Sequence, residues 1–96
     1  MRVIIREAAY HDLDRIYVWI ARDRPRSADK VIERILESAD RLGRFPQMGH
    51  LGRVRGTYEW AIPGLPYILV YRIGEEENLV WVDAVFHGAQ DRDERR

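Results

Sequence analysis

Two runs rich in Val, Ile, Tyr and Trp lie between residues 58 and 88, separated by the polar break Gly74-Glu75-Glu76-Glu77-Asn78. β-Branched and aromatic side chains suit a pleated, half-buried surface, and a break this short joins antiparallel neighbours. Residues 65–71 carry no charge at all, which predicts a central strand covered on at least one face. In the second run Val80, Val82, Ala84 and Phe86 are apolar at every second position, whereas Leu79, Trp81, Asp83, Val85 and His87 are mixed. Alternation of this kind predicts one core face and one partly wet face. Pro63 and Pro66 bracket Gly64 and Leu65. That pair forces a turn out of an earlier strand, expected at about 54–62. The expectation is a three-stranded antiparallel meander.

The remainder has to cover that meander. Arg2-Val3-Ile4-Ile5-Arg6 is a short strand candidate, and its brevity and flanking charge suit a sheet edge. From about Ala8 the period changes to Ala9, Leu13, Ile16, Tyr17 and Ile20, one face of a helix. Glu7 is not a preferred cap, although its charge suits a helix N-terminus. Pro25 ends this helix by biasing Arg24 out of the helical region, then sits well at the start of a second. Ala28, Val31, Ile32, Ile35, Ala39 and Leu42 form the second apolar stripe, with Lys30, Glu33, Arg34, Glu37 and Arg41 outside it. Gly43 is read as the residue just past that helix, and Pro46 prevents its continuation. Residues 47–56, Gly-rich and basic, read as a loop. The predicted class is α+β, an antiparallel α-hairpin on one face of a small, mostly antiparallel sheet in the order β-α-α-β-β-β.

Ninety-six residues allow one domain, expected over 1–89, with 90–96 a mobile polar tail. No apolar run approaches the ~20 residues of a membrane helix, so no membrane partner is expected. The absence of Cys is compatible with a cytoplasmic location. His11, His50 and His87 are scattered, which argues against a metal site, and no cofactor motif is present. Formal charge is zero, giving no global attraction to nucleic acid. The charge is unevenly placed, however. Residues 41–58 hold Arg41, Arg44, Arg53 and Arg55 and no acid, whereas Glu75, Glu76 and Glu77 cluster in the predicted hairpin loop.

Phe45-Pro46, Gly49, Pro63-Gly64, Pro66-Tyr67, Tyr71-Arg72 and His87-Gly88-Ala89 occur in an order and spacing that resembles the RelE/ParE family of bacterial type II toxin–antitoxin toxins, closest to its ParE-like branch. The resemblance spans nearly the whole chain. It implies a RelE/ParE-like fold and a growth-inhibiting toxin neutralised by a cognate antitoxin, a DNA-binding protein encoded alongside, in a hetero-oligomer. No direct DNA binding is expected without that antitoxin. The ParE-like branch implies DNA gyrase as target; the alternative is a ribosome-dependent mRNA endoribonuclease of the RelE type.

Cleavage by 2′-OH attack needs a base, an acid and cations around the phosphate. Where the ribonuclease branch places cationic residues, this chain has Glu59, Ala61, Ile68 and Gln90. Arg72 and His87 are the catalytic candidates that remain if the chain is a nuclease. The structural reading is favoured for both: Arg72 paired to a carboxylate at a strand end, and His87 bonded to backbone or to Asp83. Enzyme activity is therefore not expected. Arg53, Arg55, Trp60, Trp81, Gln90 and Arg92 are the candidate residues for contacting a partner or target.

Overall fold

The structure, a computed structural model, describes residues 1–89; the tail expected over 90–96 lies outside them. Chain order is β1 (Arg2–Ile5), α1 (Glu7–Ala21), α2 (Pro25–Arg41), a single 3-10 turn (Pro46–Met48), β2 (His50–Leu51), β3 (Tyr58–Ala61), β4 (Tyr67–Gly74) and β5 (Leu79–His87). The five strands form one sheet in the order β1-β5-β4-β3-β2. β1 runs parallel to β5, and every other pairing is antiparallel. The uncharged run is thus the middle strand, as expected, and β1 is an edge.

The helix hairpin covers one face. Ala9 and Leu13 of α1, with Ile35, Ala39 and Leu42 of or just beyond α2, share a core with Tyr67, Leu69, Tyr71, Val80, Val82 and Val85. Tyr17, expected in the α1 stripe, is exposed. It lies at the margin of the apolar arc, and the sheet is reached from α1 through Ile16 and Ile20 instead.

The largest correction concerns β5. Its pairing with β4 slips between Val70 and Tyr71, which face Ala84 and Val82 and leave Asp83 as an extra residue. A bulge of one residue moves every later side chain to the opposite face. Val80 and Val82 therefore join the helix-side core, while Ala84 and Phe86 form a second cluster with Ile68 and Val70 on the other face. The even positions of β5 do not share a face.

The expected strand at 54–62 is also shorter. It begins at Tyr58, and the loop before it contains β2, whose two residues pair with Tyr58 and Glu59. Gly43 follows the second helix as expected, but without the left-handed backbone that glycine often supplies there. A Cβ there would lie 2.5 Å from the Met1 carbonyl oxygen, so the residue is small because the β1 end passes over it.

Candidate functional site

The residues that carried the resemblance are joined to one another. Pro63 and Gly64 occupy the central positions of a turn closed by the Leu65 amide donating to the Ile62 carbonyl (3.2 Å). Gly64 has φ +79°, the conformation that glycine supplies at the third position of a type II turn after proline. Arg34 of α2 donates to the Pro63 carbonyl (2.6 Å), tying the hairpin to this turn. The Gly88 amide donates to the Pro66 carbonyl (2.8 Å).

Tyr71 is fully buried, and its hydroxyl donates to the Pro46 carbonyl (2.7 Å) while accepting from the Gly49 amide (2.9 Å). A Cβ on Gly49 would fall 2.6 Å from that hydroxyl, so only glycine fits without displacement. Burial raises the Tyr71 pKa above its usual value; the Gly49 bond opposes this and neighbouring Tyr58, stacked at 5.6 Å, adds to it.

Arg72 extends from the face opposite the helices, with Ile68 and Val70. Its Nε donates to Asp83 Oδ2 (2.7 Å), the carboxylate partner expected for it. Alternation from Val80 and Val82 on the helix side already turns Asp83 to this face, and the bulge adds Ala84 to it. Arg6 completes the group: its Nε lies 3.3 Å from Asp83 Oδ1 as an ion pair without hydrogen-bond geometry, and its guanidinium sits 5.5 Å from the centre of the Trp81 ring. Arg6 also precedes α1 without capping it by a side-chain bond. One acidic residue thus holds two arginines.

His87 projects to the other face. It stands edge-on to Tyr67 at 5.6 Å, and its Nδ1 accepts from the Ala89 amide (3.2 Å), the backbone alternative of the two expected for it. The structure does not bring Arg72 and His87 together; the bulge sends them to opposite faces. His87 instead lines a cleft with Asp12, Arg15, Ile16, Trp19, Tyr67 and Val85.

Asp12 was not singled out by sequence reasoning. It is 6% exposed, its Oδ2 accepts from the Val85 amide (2.9 Å), and its Oδ1 accepts from Arg15. β1 ends opposite Val82, so the Val85 amide has no strand on that side and a helix carboxylate takes its place. The available signal was a carboxylate inside an apolar stripe, three residues after Ala9 and four before Ile16.

The positions at which the resemblance to the ribonuclease branch led cations to be expected are equally well defined. Ile68 is buried, and Ala61 faces it across the β3–β4 pairing. Glu59 is buried and accepts from the Arg53 amide at 3.2 Å, so its carboxylate holds the loop before β3. Arg53 and Arg55 extend from that loop with exposed side chains. Trp60 packs against the helix-side core, and Trp81 is half-buried beneath Arg6. Gln90 and Arg92 lie outside the described residues. Among the described residues no group of acids and histidines could hold a metal ion, and no helix is long and apolar enough to cross a membrane.

Residues 3–92 match the family described as the ParE toxin of the type II toxin–antitoxin system, parDE. Protein Y4kP of Sinorhizobium fredii is 35% identical over 74 residues, covering 77% of each chain. Among solved structures, the chain is similar to one from the chromosomal ParDE system of P. aeruginosa (TM-score 0.83, 20% identity, 91% of this chain and 95% of that one). The RelBE2 toxin–antitoxin complex of Mycobacterium tuberculosis has a TM-score of 0.66 at 24% identity, over 90% and 88% of the two chains. The isolated E. coli RelE toxin has a TM-score of 0.64 at 17% identity, over 98% and 90%. With a fold shared across these structures and a family match spanning almost its whole length, the chain belongs to the ParE toxin family of type II toxin–antitoxin systems.

Proposed function

We propose that this toxin arrests growth by binding a protein target, DNA gyrase, rather than by catalysis, and that a cognate antitoxin neutralises it by forming a hetero-oligomer. The observation that carries this reading is the chemistry of the sheet face opposite the helices. A phosphate-cleaving site needs uncommitted cations around a scissile phosphate. On this face Arg72 is bound by Asp83, and Arg6 pairs with the same carboxylate and covers Trp81. The remaining positions are the buried Ile68, the apolar Ala61 and a Glu59 committed to its own loop. His87, on the opposite face, cannot reach a phosphate held by Arg72. The description of the matched family and the toxin–antitoxin complexes among the similar structures support the antitoxin partner. A gyrase target places the protein in the cytoplasm.

Purified toxin added to gyrase is expected to block DNA supercoiling, and added antitoxin to restore it. Exchanging Arg53 and Arg55 for Glu should relieve growth arrest while leaving the melting temperature in place. Ribosome-dependent mRNA cleavage that disappears in a folded His87→Ala or Arg72→Ala protein would overturn the proposal in favour of the endoribonuclease. Inhibition of neither process would leave a domain that binds only its antitoxin.

A further inference from the structure

α1 packs on the sheet through Ala9 and Leu13, and at 100° per residue Val18, Trp19 and Arg22 fall on the side turned away from that contact. Val18 is 55% exposed and Trp19 62%. With Asp14, Arg15 and Arg22 they line a shallow cleft of 320 Å³. One apolar side chain in water needs no explanation, but a valine and a tryptophan side by side on the outer face of a helix form a patch.

The charges beside the patch are arranged about its centre. Asp14 stands four residues before Val18 and Arg22 four after it, on one row of the helix surface. Eight residues separate the two by about 12 Å along the axis, so they cannot satisfy each other within one chain. Among the described residues Asp14 has no ion pair, and the Arg22 guanidinium meets the Trp19 ring at 6.0 Å. The other charges on this side of the helix have partners of their own: Arg15 is bound to Asp12, and Glu7 lies 3.9 Å from His11. Asp23, Arg24 and Arg26 follow in the turn and the start of α2, beyond the row.

An acid and a base placed symmetrically about an apolar centre are their own complement. We infer that the free toxin pairs with a second copy of itself through α1, the two helices antiparallel and crossing on a two-fold axis at Val18, with Asp14 of each copy bound to Arg22 of the other. Packing of i±4 rows against each other, at a crossing angle near 50°, aligns the two charged rows. Val18 then meets its own copy, and both Trp19 rings lie on one flank of the contact. A lipid surface or a nucleic acid would leave the carboxylate in this row facing like charge. A single helix crossing is smaller than the ~1,600 Å² of a standard interface, so the dimer should be of micromolar strength and come apart on dilution. The pairing uses neither Arg72 and its sheet face nor the loop with Arg53 and Arg55, so it stands whatever the cellular target.

Sedimentation equilibrium of the purified full chain over a dilution series should show the mass of two chains giving way to that of one. Asp14→Arg and Arg22→Asp should each weaken association at least about tenfold, because two like-charge contacts replace two ion pairs. The double variant restores opposite charges across the axis and should recover the wild-type association. Val18→Asp places two carboxylates on the axis and should give a monomer with an unchanged far-UV circular dichroism spectrum. The chain has no Cys, so Val18→Cys introduces a single thiol that meets its own copy. It should oxidise to a linked dimer at least about tenfold faster than Glu33→Cys, on the outer face of α2, since a disulfide needs its Cβ atoms within about 4.5 Å. The mass of one chain at every concentration, a dimer that survives Val18→Asp, no recovery in the double variant, or equal cross-linking of the two thiols would each overturn the inference.

Discussion

Tyr71 shows how much one side chain settles in a domain this small. Its ring fills the core, and its hydroxyl serves both a carbonyl and an amide of the loop that follows α2. Tyr71→Phe keeps the ring but leaves both backbone groups without a partner, which should cost about 1–3 kcal/mol in urea unfolding at neutral pH. The ionisation of the phenol adds a second readout. Its folded pKa is raised, so the unfolded chain ionises first as pH climbs. The stabilising contribution is complete below the ordinary value near 10 and is lost as pH rises through the folded one. Wild-type stability should therefore fall above about pH 10, and that slope should be shallower in Tyr71→Phe. Asp12 has the corresponding role for β5. Asp12→Ala orphans the Val85 amide and should destabilise by about 1–3 kcal/mol, with Asp12→Asn closer to wild type because an amide oxygen still accepts.

At the level of elements, the helices follow their stripes more faithfully than the strands follow their alternation. Ile35, in the middle of the α2 stripe, is 1% exposed, and Ile35→Ala should cost about 2–5 kcal/mol. Glu33→Ala, on the outer face, should stay within about 0.5 kcal/mol, and thermal melting of the pair checks the rotation of α2. Gly64→Ala would place its Cβ in ordinary contact with the Arg34 guanidinium (3.4 Å) but on a left-handed backbone, so its expected loss of about 1–2 kcal/mol comes mainly from conformation. The Pro63-Gly64 turn, both helices, the central β4 and the edge position of β1 were legible because each is dictated by local chemistry. The face of each β5 residue was not. A bulge at Asp83 depends on what Arg72 and Arg6 offer across the sheet, and no periodicity in β5 itself records that. β2 was hidden for the same reason: two residues have no period, and their pairing is imposed by β3. Arg72's partner was foreseeable as a carboxylate, but which face of the sheet the helices cover was decided by packing.

For the whole molecule, the residues that identify the family are mainly joints of the fold. Pro63-Gly64 turns β3 into β4, Pro66 receives Gly88, and Tyr71 receives Pro46 and Gly49. They therefore report the architecture faithfully and say little about the target. Binding energy from a partner adds directly to folding stability, so complex formation with the antitoxin should raise the melting temperature well above that of the free toxin. Scanning calorimetry of both checks this; equal melting would mean that the partner leaves the domain unbound. The strand order carries a different consequence, for synthesis. Among the described residues β5 is the last strand made, yet it lies between β1, the first, and β4. A nascent chain halted at residue 78 has a meander with one open side, a first strand with nothing to pair with and helices with an incomplete floor. Such a fragment should be digested rapidly by protease where the finished domain resists. The described sheet is thus completed only as β5 is delivered, and a chain truncated before it should fail to arrest growth when expressed.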